Sequence, residues 1–216
     1  MPSSHPYQLN EIMELVRLTD PRRMLDIGTG FGKYGFLSRE YLELWDGREK
    51  YGEWERQIDG IEAFEPYLTP VHRYIYSKIF TGEASAILEK LDPGYDLVLM
   101  IDVLEHFTRE DGIRILERCG RISRNILVSV PLTVTPQESA FGNPFEQHRS
   151  QWVRKDFESL GPVFFVPNPR SLICYIGEDS ARVSAIYRKE RSHRILVLLL
   201  EYLNLRIPLK KLLGRS

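Results

Sequence analysis

Along most of the chain, short apolar segments alternate with longer segments in which apolar residues recur at helical spacing. A strand buried on both faces of a parallel sheet reads as an unbroken run of Val, Ile and Leu. The segments DLVLMID (96–102) and NILVSV (125–130) have this character. The alternation predicts an α/β fold with a parallel sheet and helices on both faces. The predicted strands in this part are Met24–Ile27, Ile58–Ile61, Ile79–Phe80, Leu97–Ile101 and Ile126–Val130.

Amphipathic segments between these strands predict helices. After the fifth strand the pattern changes, because Val163–Val166 and Leu172–Ile176 flank a tight PNPRS turn. We expect these two strands to form an antiparallel hairpin that closes one edge of a seven-stranded sheet. The predicted helices are Leu9–Leu18, Tyr34–Trp45, Pro66–Tyr76, Ala84–Leu91, Arg109–Ile122 and Arg154–Leu160.

Two segments interrupt this regular order. The stretch 131–150 is rich in Pro, Gly, Ser and Asn, and structureless loops of this length are usually functional or disordered. We expect it to act as a mobile lid over a binding site. The polar and aromatic stretch 45–57 lengthens the connection between the first two strands and is expected to be a surface excursion.

Composition places the chain among ordinary globular proteins. It has 216 residues, of which 43% are hydrophobic and 27% charged, and only two cysteines, so neither a disordered chain nor a disulfide scaffold is expected. The start of the sequence lacks a signal-peptide pattern, and the longest apolar run, Ile195–Leu200, is too short to cross a bilayer. These features predict a cytoplasmic protein.

Charge divides the chain into two parts. Residues 181–216 carry nine Lys or Arg against two acidic residues, whereas residues 1–180 are acidic overall. We therefore predict a main domain over 1–180 and a basic helical extension over 181–216. Apolar residues cover most of the helix predicted over 195–205, so it should be buried against the body or a second copy. The alternative is peripheral contact of 190–216 with an anionic membrane.

The segment MLDIGTGFGKYGF (24–36) is the strongest chemical signal in the chain. Its glycines follow a buried strand and precede a helix, where they let a ligand approach the backbone closely. A dinucleotide-binding turn has the spacing GxGxxG, but Lys33 stands at the third glycine position. The spacing GxGxG suits a ligand that has an amino-acid end. The Asp26 carboxylate can attract the ammonium group of that end indirectly. A tight turn without a ligand is the alternative.

Further segments follow in order: GIEAFEP (60–66), TGEA (81–84), YDLVLMIDVLEHF (95–107) and NILVSVP (125–131). Together with the glycine turn they resemble the motifs of class I S-adenosylmethionine-dependent methyltransferases, over about residues 20–176. The resemblance implies a Rossmann-like, seven-stranded, mostly parallel sheet and S-adenosyl-L-methionine as the cofactor.

The resemblance also implies roles for individual residues. Glu62 would accept the ribose hydroxyls, although it lies 30 residues after Gly32, where about 20 is usual. Glu65 is the alternative, because a Glu-Pro pair also occurs at this place in relatives. Glu83 would accept the adenine amino group, and the backbone of Asp102 would line the methionine part. The cofactor-binding set is Asp26, Gly28, Thr29, Gly30, Gly32, Glu62, Glu83, Ala84, Asp102 and Val103.

For the acceptor, His106 and His148 are the candidate general bases, although each could instead have only a structural role. We expect methyl transfer to an O, N or C atom of a small molecule or biosynthetic intermediate. The body is acidic and lacks the motif of nucleobase methyltransferases after strand four, so no nucleic acid is expected. The five histidines show no ligand spacing, so no metal is expected. A non-catalytic regulatory subunit and a nicotinamide-dependent oxidoreductase remain as alternatives.

Overall fold

A computed structural model of the protein describes residues 3–44 and 52–202. Seven strands form a single sheet, and each predicted strand is present. No strand differs in length from the expected one by more than two residues. The strands are β1 (Arg23–Ile27), β2 (Gln57–Glu62), β3 (Lys78–Thr81), β4 (Leu97–Ile101), β5 (Asn125–Pro131), β6 (Val163–Val166) and β7 (Ser171–Gly177).

The sheet order is β3-β2-β1-β4-β5-β7-β6. The first five strands pair in parallel, and β7 pairs antiparallel with both β5 and β6. The predicted mostly parallel sheet with an antiparallel C-terminal hairpin is thus confirmed. The hairpin is folded so that β7 lies inside the sheet and β6 forms the edge.

The helices largely follow the predicted segments, with one clear correction. The expected helix Pro66–Tyr76 is instead a 3₁₀ turn at Glu65–Tyr67 followed by a separate α-helix. Pro70 explains the break, because a proline disfavours helical geometry in the residue before it, and Thr69 is extended. The α-helices are α1 (Leu9–Thr19), α2 (Lys33–Arg39), α3 (Pro70–Ile75), α4 (Ala84–Leu88), α5 (Arg109–Ile122), α6 (Arg154–Glu158) and α7 (Ser180–Tyr202).

Helices cover both faces of the sheet, as the continuous apolar strands require. Alternate residues of one strand enter different cores: in β4, Leu97 and Leu99 face α1, α2, α3 and α7, whereas Val98 and Met100 face α4, α5 and α6. The two cores therefore hold the sheet between two helical layers. Strands β2 and β3 lie on one side of β1, and β4 and β5 lie on the other. A crevice therefore forms at the carboxyl ends of β1 and β4, where the strand order changes direction.

Helix α7 differs from the predicted extension. It begins at Ser180, packs Val183 and Tyr187 into the core, and is joined to α1 by the ion pairs Arg17–Glu190 and Arg194–Glu14. Most apolar side chains of its last turns are exposed, so the body of the chain does not bury them. Burial against a second copy, the other half of that expectation, stays a prediction. The apolar side chains left exposed are Ile195, Leu196, Leu198, Leu199 and Tyr202.

Several predictions for this region stay open. Contact of the exposed turns with a second copy is not tested by the fold. Residues 203–216 of the predicted extension lie outside the described residues. Residues 45–51 of the predicted surface excursion also lie outside them. None of the helices in the described ranges is both long and apolar enough to cross a bilayer.

Candidate active site

A cleft of about 650 Å³ opens at the carboxyl-terminal edge of the parallel strands. Open α/β sheets bind ligands in this position. Ten of the twelve site residues predicted from the sequence line the cleft, and Asp26 and Gly32 do not. The ten are Gly28, Thr29, Gly30, Glu62, Glu83, Ala84, Asp102, Val103, His106 and His148.

The glycine turn between β1 and α2 forms part of the cleft wall. The backbone N–H groups of Gly28 and Thr29 both donate to the carbonyl of Ile61, at 2.9 and 3.2 Å, which joins the turn to the end of β2. Gly28 has φ of 74°, and a β-carbon there would lie only 2.5 Å from Cγ2 of Val103. Gly32 has φ of 84° at the start of α2, so its role is to turn the chain, outside the cleft.

Glu62, at the end of β2, connects the two turns that border the cleft. Its Oε2 accepts hydrogen bonds from the backbone N–H of Gly30 at 2.8 Å and from Oγ1 of Thr29 at 3.3 Å. Its Oε1 accepts from the backbone N–H of Phe64 at 3.0 Å. Glu65 begins the following 3₁₀ turn and does not line the cleft. The geometry thus favours Glu62 over Glu65 as a ligand-binding carboxylate.

Asp26 lies in β1 beneath the cleft, and its side chain is buried. The hydroxyl of Tyr76 donates to its Oδ2 at 2.6 Å. Burial raises the pKa of Asp26 from 3.8 to about 6, although the Tyr76 hydrogen bond opposes this rise. The carboxyl group does not reach the cleft. Only the indirect electrostatic role expected from the sequence is therefore compatible with its position.

Asp102 is held in an uncommon backbone conformation, with φ of 54°. Its Oδ1 accepts a hydrogen bond from Ser129 at 3.0 Å, and its Oδ2 accepts from Nε2 of Gln8 at 2.7 Å and the backbone N–H of His5 at 3.0 Å. The side chain thereby binds the N-terminal segment. The role expected for the backbone of Asp102 towards a ligand stays a prediction.

The N-terminal segment 3–5 lines one side of the cleft, which sequence reasoning did not predict. Nζ of Lys33 donates to the carbonyl of Ser4 at 2.6 Å, and Oγ of Ser4 donates to the hydroxyl of Tyr34 at 3.0 Å. Partial burial lowers the pKa of Lys33. In the sequence, the only indication of this contact with the N-terminal segment was Lys33. It departs from the dinucleotide pattern and places a cation next to the glycine turn.

The loop 131–150 supplies a further part of the cleft wall. Tyr67 donates from its hydroxyl to Oε1 of Glu146 at 3.1 Å, and Nε2 of Gln137 donates to the carbonyl of Glu146 at 2.6 Å. The backbone N–H of Arg149 donates to the carbonyl of Glu105 at 2.8 Å. The predicted loop therefore lies over the cleft, and its predicted mobility stays a prediction.

Two histidines meet where the loop approaches strand β4. The ring centroids of His106 and His148 are 5.1 Å apart, although 41 residues separate them in the sequence. Burial lowers the pKa of His106, and burial raises the pKa of the neighbouring Glu105 well above its ordinary value. The two candidate bases thus lie side by side, next to the buried carboxyl group of Glu105.

Comparison with known proteins supports the fold. No protein-family profile matches the sequence, and no curated protein resembles it significantly. Solved structures do match: the bifunctional kinase-methyltransferase WbdD superposes with a TM-score of 0.56 at 14% identity, over 82% of this chain and 40% of that one. The chain thus spans about two fifths of the length of WbdD.

Two further structures agree. A SAM-dependent methyltransferase from Archaeoglobus fulgidus matches with a TM-score of 0.52 at 15% identity, over 72% of this chain and 86% of that one. The mitomycin 7-O-methyltransferase MmcR matches with a TM-score of 0.51 at 15% identity, over 79% and 54%. The chain has the class I methyltransferase fold. At these identities the likeness establishes the architecture and not the chemistry.

Proposed function

We propose that the protein is an S-adenosyl-L-methionine-dependent methyltransferase that acts on an O, N or C atom of a small molecule or biosynthetic intermediate. The observation that carries this proposal is the composition of the cleft. The glycine turn, Glu62 and Glu83 line it together with the His106–His148 pair, at the strand edge where this fold binds ligands.

The cofactor-binding residues have suitable chemistry for their proposed roles. Glu62 would accept the ribose hydroxyls, and its backbone hydrogen bonds hold the carboxylate in place before the ligand arrives. Glu83, which is exposed at the start of α4, would accept the adenine amino group. Gly28 and Gly30 would allow the methionine part to approach the backbone.

Methyl transfer from a sulfonium needs alignment of the acceptor and exclusion of water more than a strong nucleophile. The N-terminal segment and the loop 131–150 border the cleft and would provide both. His106 or His148 could assist by accepting a proton from the acceptor, as the sequence suggests. The solved structures with this fold include an enzyme named for O-methylation, which favours oxygen among the possible acceptor atoms.

The alternatives can be separated by one set of binding measurements. Isothermal titration calorimetry of the whole chain with S-adenosylmethionine, and separately with NAD, should show binding of the first ligand only. Lys33 supports this expectation, because it occupies the third glycine position of the dinucleotide motif and its ammonium group contacts Ser4. Binding of NAD instead would overturn the proposal and favour an oxidoreductase.

Turnover distinguishes an enzyme from a regulatory subunit. With the labelled cofactor, we expect methyl transfer to members of a panel of small hydroxyl, amine and carbon acceptors. Cofactor binding without transfer to any acceptor class would favour the regulatory alternative.

We also propose a cytoplasmic setting, a small-molecule partner and no role for nucleic acid. Cys119 and Cys174 are both buried free thiols, as expected in a reducing compartment. The exposed apolar turns at the end of α7 suggest that 190–216 contacts a second copy or, alternatively, a membrane surface.

A further inference from the structure

Within the described ranges 3–44 and 52–202, one group of side chains has the make-up of a metal site. Glu105, His106 and His148 each offer a ligand atom, and these atoms lie within 4.8 Å of one another. All three residues line the cleft. The separation of His148 from the other two along the chain explains why the sequence indicated no metal.

Both imidazole rings make the kind of hydrogen bond that metal-binding histidines usually make. Nδ1 of His106 lies 3.2 Å from the carbonyl oxygen of Gln147, and Nδ1 of His148 lies 2.6 Å from that of Thr135. A carbonyl can only accept, so each Nδ1 carries the proton and each Nε2 keeps a lone pair. Metal-binding histidines are commonly fixed in this way by a hydrogen bond from the second ring nitrogen.

The carboxyl group of Glu105 provides an independent indication. The residue is 2% exposed, and its Oε2 is a buried oxygen that has no hydrogen-bond partner among the described residues. A buried, unpaired carboxylate oxygen is costly unless a cation or a donor reaches it. The backbone also fixes its position, because the carbonyl of Glu105 accepts from the N–H groups of Arg149 and Ser150. The same contacts bring the loop that carries His148 towards β4.

We propose that Glu105, His106 and His148 bind a divalent first-row transition-metal ion of the Mn²⁺, Fe²⁺, Co²⁺ or Zn²⁺ type. Two imidazoles with one carboxylate suit these ions, whereas Mg²⁺ and Ca²⁺ prefer oxygen ligands alone. Three protein ligands leave coordination positions open, which is typical of catalytic sites. Since the three residues line the cleft, those positions would be accessible to a molecule bound there.

If the proposed methyl transfer is correct, the ion defines the acceptor as an oxygen compound. A metal-bound hydroxyl group loses its proton to solvent more readily, and its oxygen can then form the bond to the methyl carbon. The carbon–sulfur bond breaks at the same time, and its electron pair stays on sulfur. Both histidines would act as ligands in this scheme, which replaces their expected role as general bases.

The test measures metal binding to the whole chain without cofactor or acceptor, so its result does not depend on the proposed function. Protein treated with EDTA and then desalted is titrated with Mn²⁺ and followed by electron paramagnetic resonance. Co²⁺ is titrated in parallel and followed by its visible absorption. We expect one ion per chain and much weaker binding of Mg²⁺ in competition.

Three variants make the test specific. Glu105→Gln and His148→Ala should each weaken binding about 100-fold or more, because loss of an outer partner alone typically costs 10–100-fold. His193→Ala is the matched control, since His193 lies on α7 and does not line the cleft. Circular dichroism verifies that each variant folds. If Glu105→Gln does not fold, His148→Ala still tests the proposal, because it alters only the loop. The proposal would be overturned if neither Mn²⁺ nor Co²⁺ bound at concentrations below 1 mM, which is roughly the limit of specific metal sites. Equal binding by wild type and the folded ligand variants would also overturn it.

Discussion

Replacement of Asp26 by Asn tests how strongly burial acts on the carboxyl group beneath the glycine turn. Asn has nearly the same shape, and its side-chain carbonyl can still accept the hydrogen bond that Tyr76 donates to Asp26. The change therefore removes the buried charge with little change in packing.

The magnitude follows from the pKa of Asp26, which burial raises from 3.8 to about 6. Each unit of pKa corresponds to about 1.4 kcal/mol, so the rise corresponds to about 3 kcal/mol. Between pH 4 and 6 the folded protein binds more protons at this site than the unfolded chain does. Ionisation of Asp26 therefore lowers the free energy of unfolding as the pH rises through that window, and the full loss is present above pH 6.

Urea denaturation at several pH values between 4 and 7.5 measures this effect. Asp26→Asn should be more stable than wild type by up to about 3 kcal/mol at pH 7.5, and the difference should shrink towards zero near pH 4. Asp92→Asn is the control for loss of a charge, because Asp92 is exposed, and it should not reproduce this pH dependence. A difference between Asp26→Asn and wild type that is independent of pH would refute the argument from burial.

Further predictions concern the cleft and its borders. Glu62→Ala should weaken S-adenosylmethionine binding by about 1–3 kcal/mol in calorimetry, and an equal loss in Glu65→Ala would transfer the role to Glu65. Gly28→Val should abolish cofactor binding or folding, because its side chain would collide with Val103; unchanged affinity in a folded variant would contradict this. Proteolysis near Gly142 should slow when cofactor and acceptor are present, and identical cleavage would argue against a lid. Deletion of 190–216 should reduce dimerisation or solubility, whereas loss of liposome binding alone would favour the membrane alternative.

Local patterns were sufficient to predict most of the fold. The buried strand β4 consists of apolar residues only, and its bounds follow from the sequence because burial on both faces leaves no polar position inside it. The glycine turn was also predictable, since Gly28 and Gly32 adopt positive φ values that few other residues tolerate. The break in the helix at Pro70 was missed. The prediction followed the apolar pattern over 66–76 and did not apply the rule that a proline disfavours helical geometry in the residue before it.

Only the tertiary structure decided which residues far apart in the chain contact one another. Sequence placed Glu62 at a strand end, but only the folded sheet shows that its carboxylate joins two turns and that Asp26 lies beneath the cleft. His148 meets Glu105 and His106 because the loop after β5 returns over the end of β4. Residue periodicity reports which face of an element is buried, whereas such a cluster depends on how loops cross the sheet edge, and no local pattern records that path.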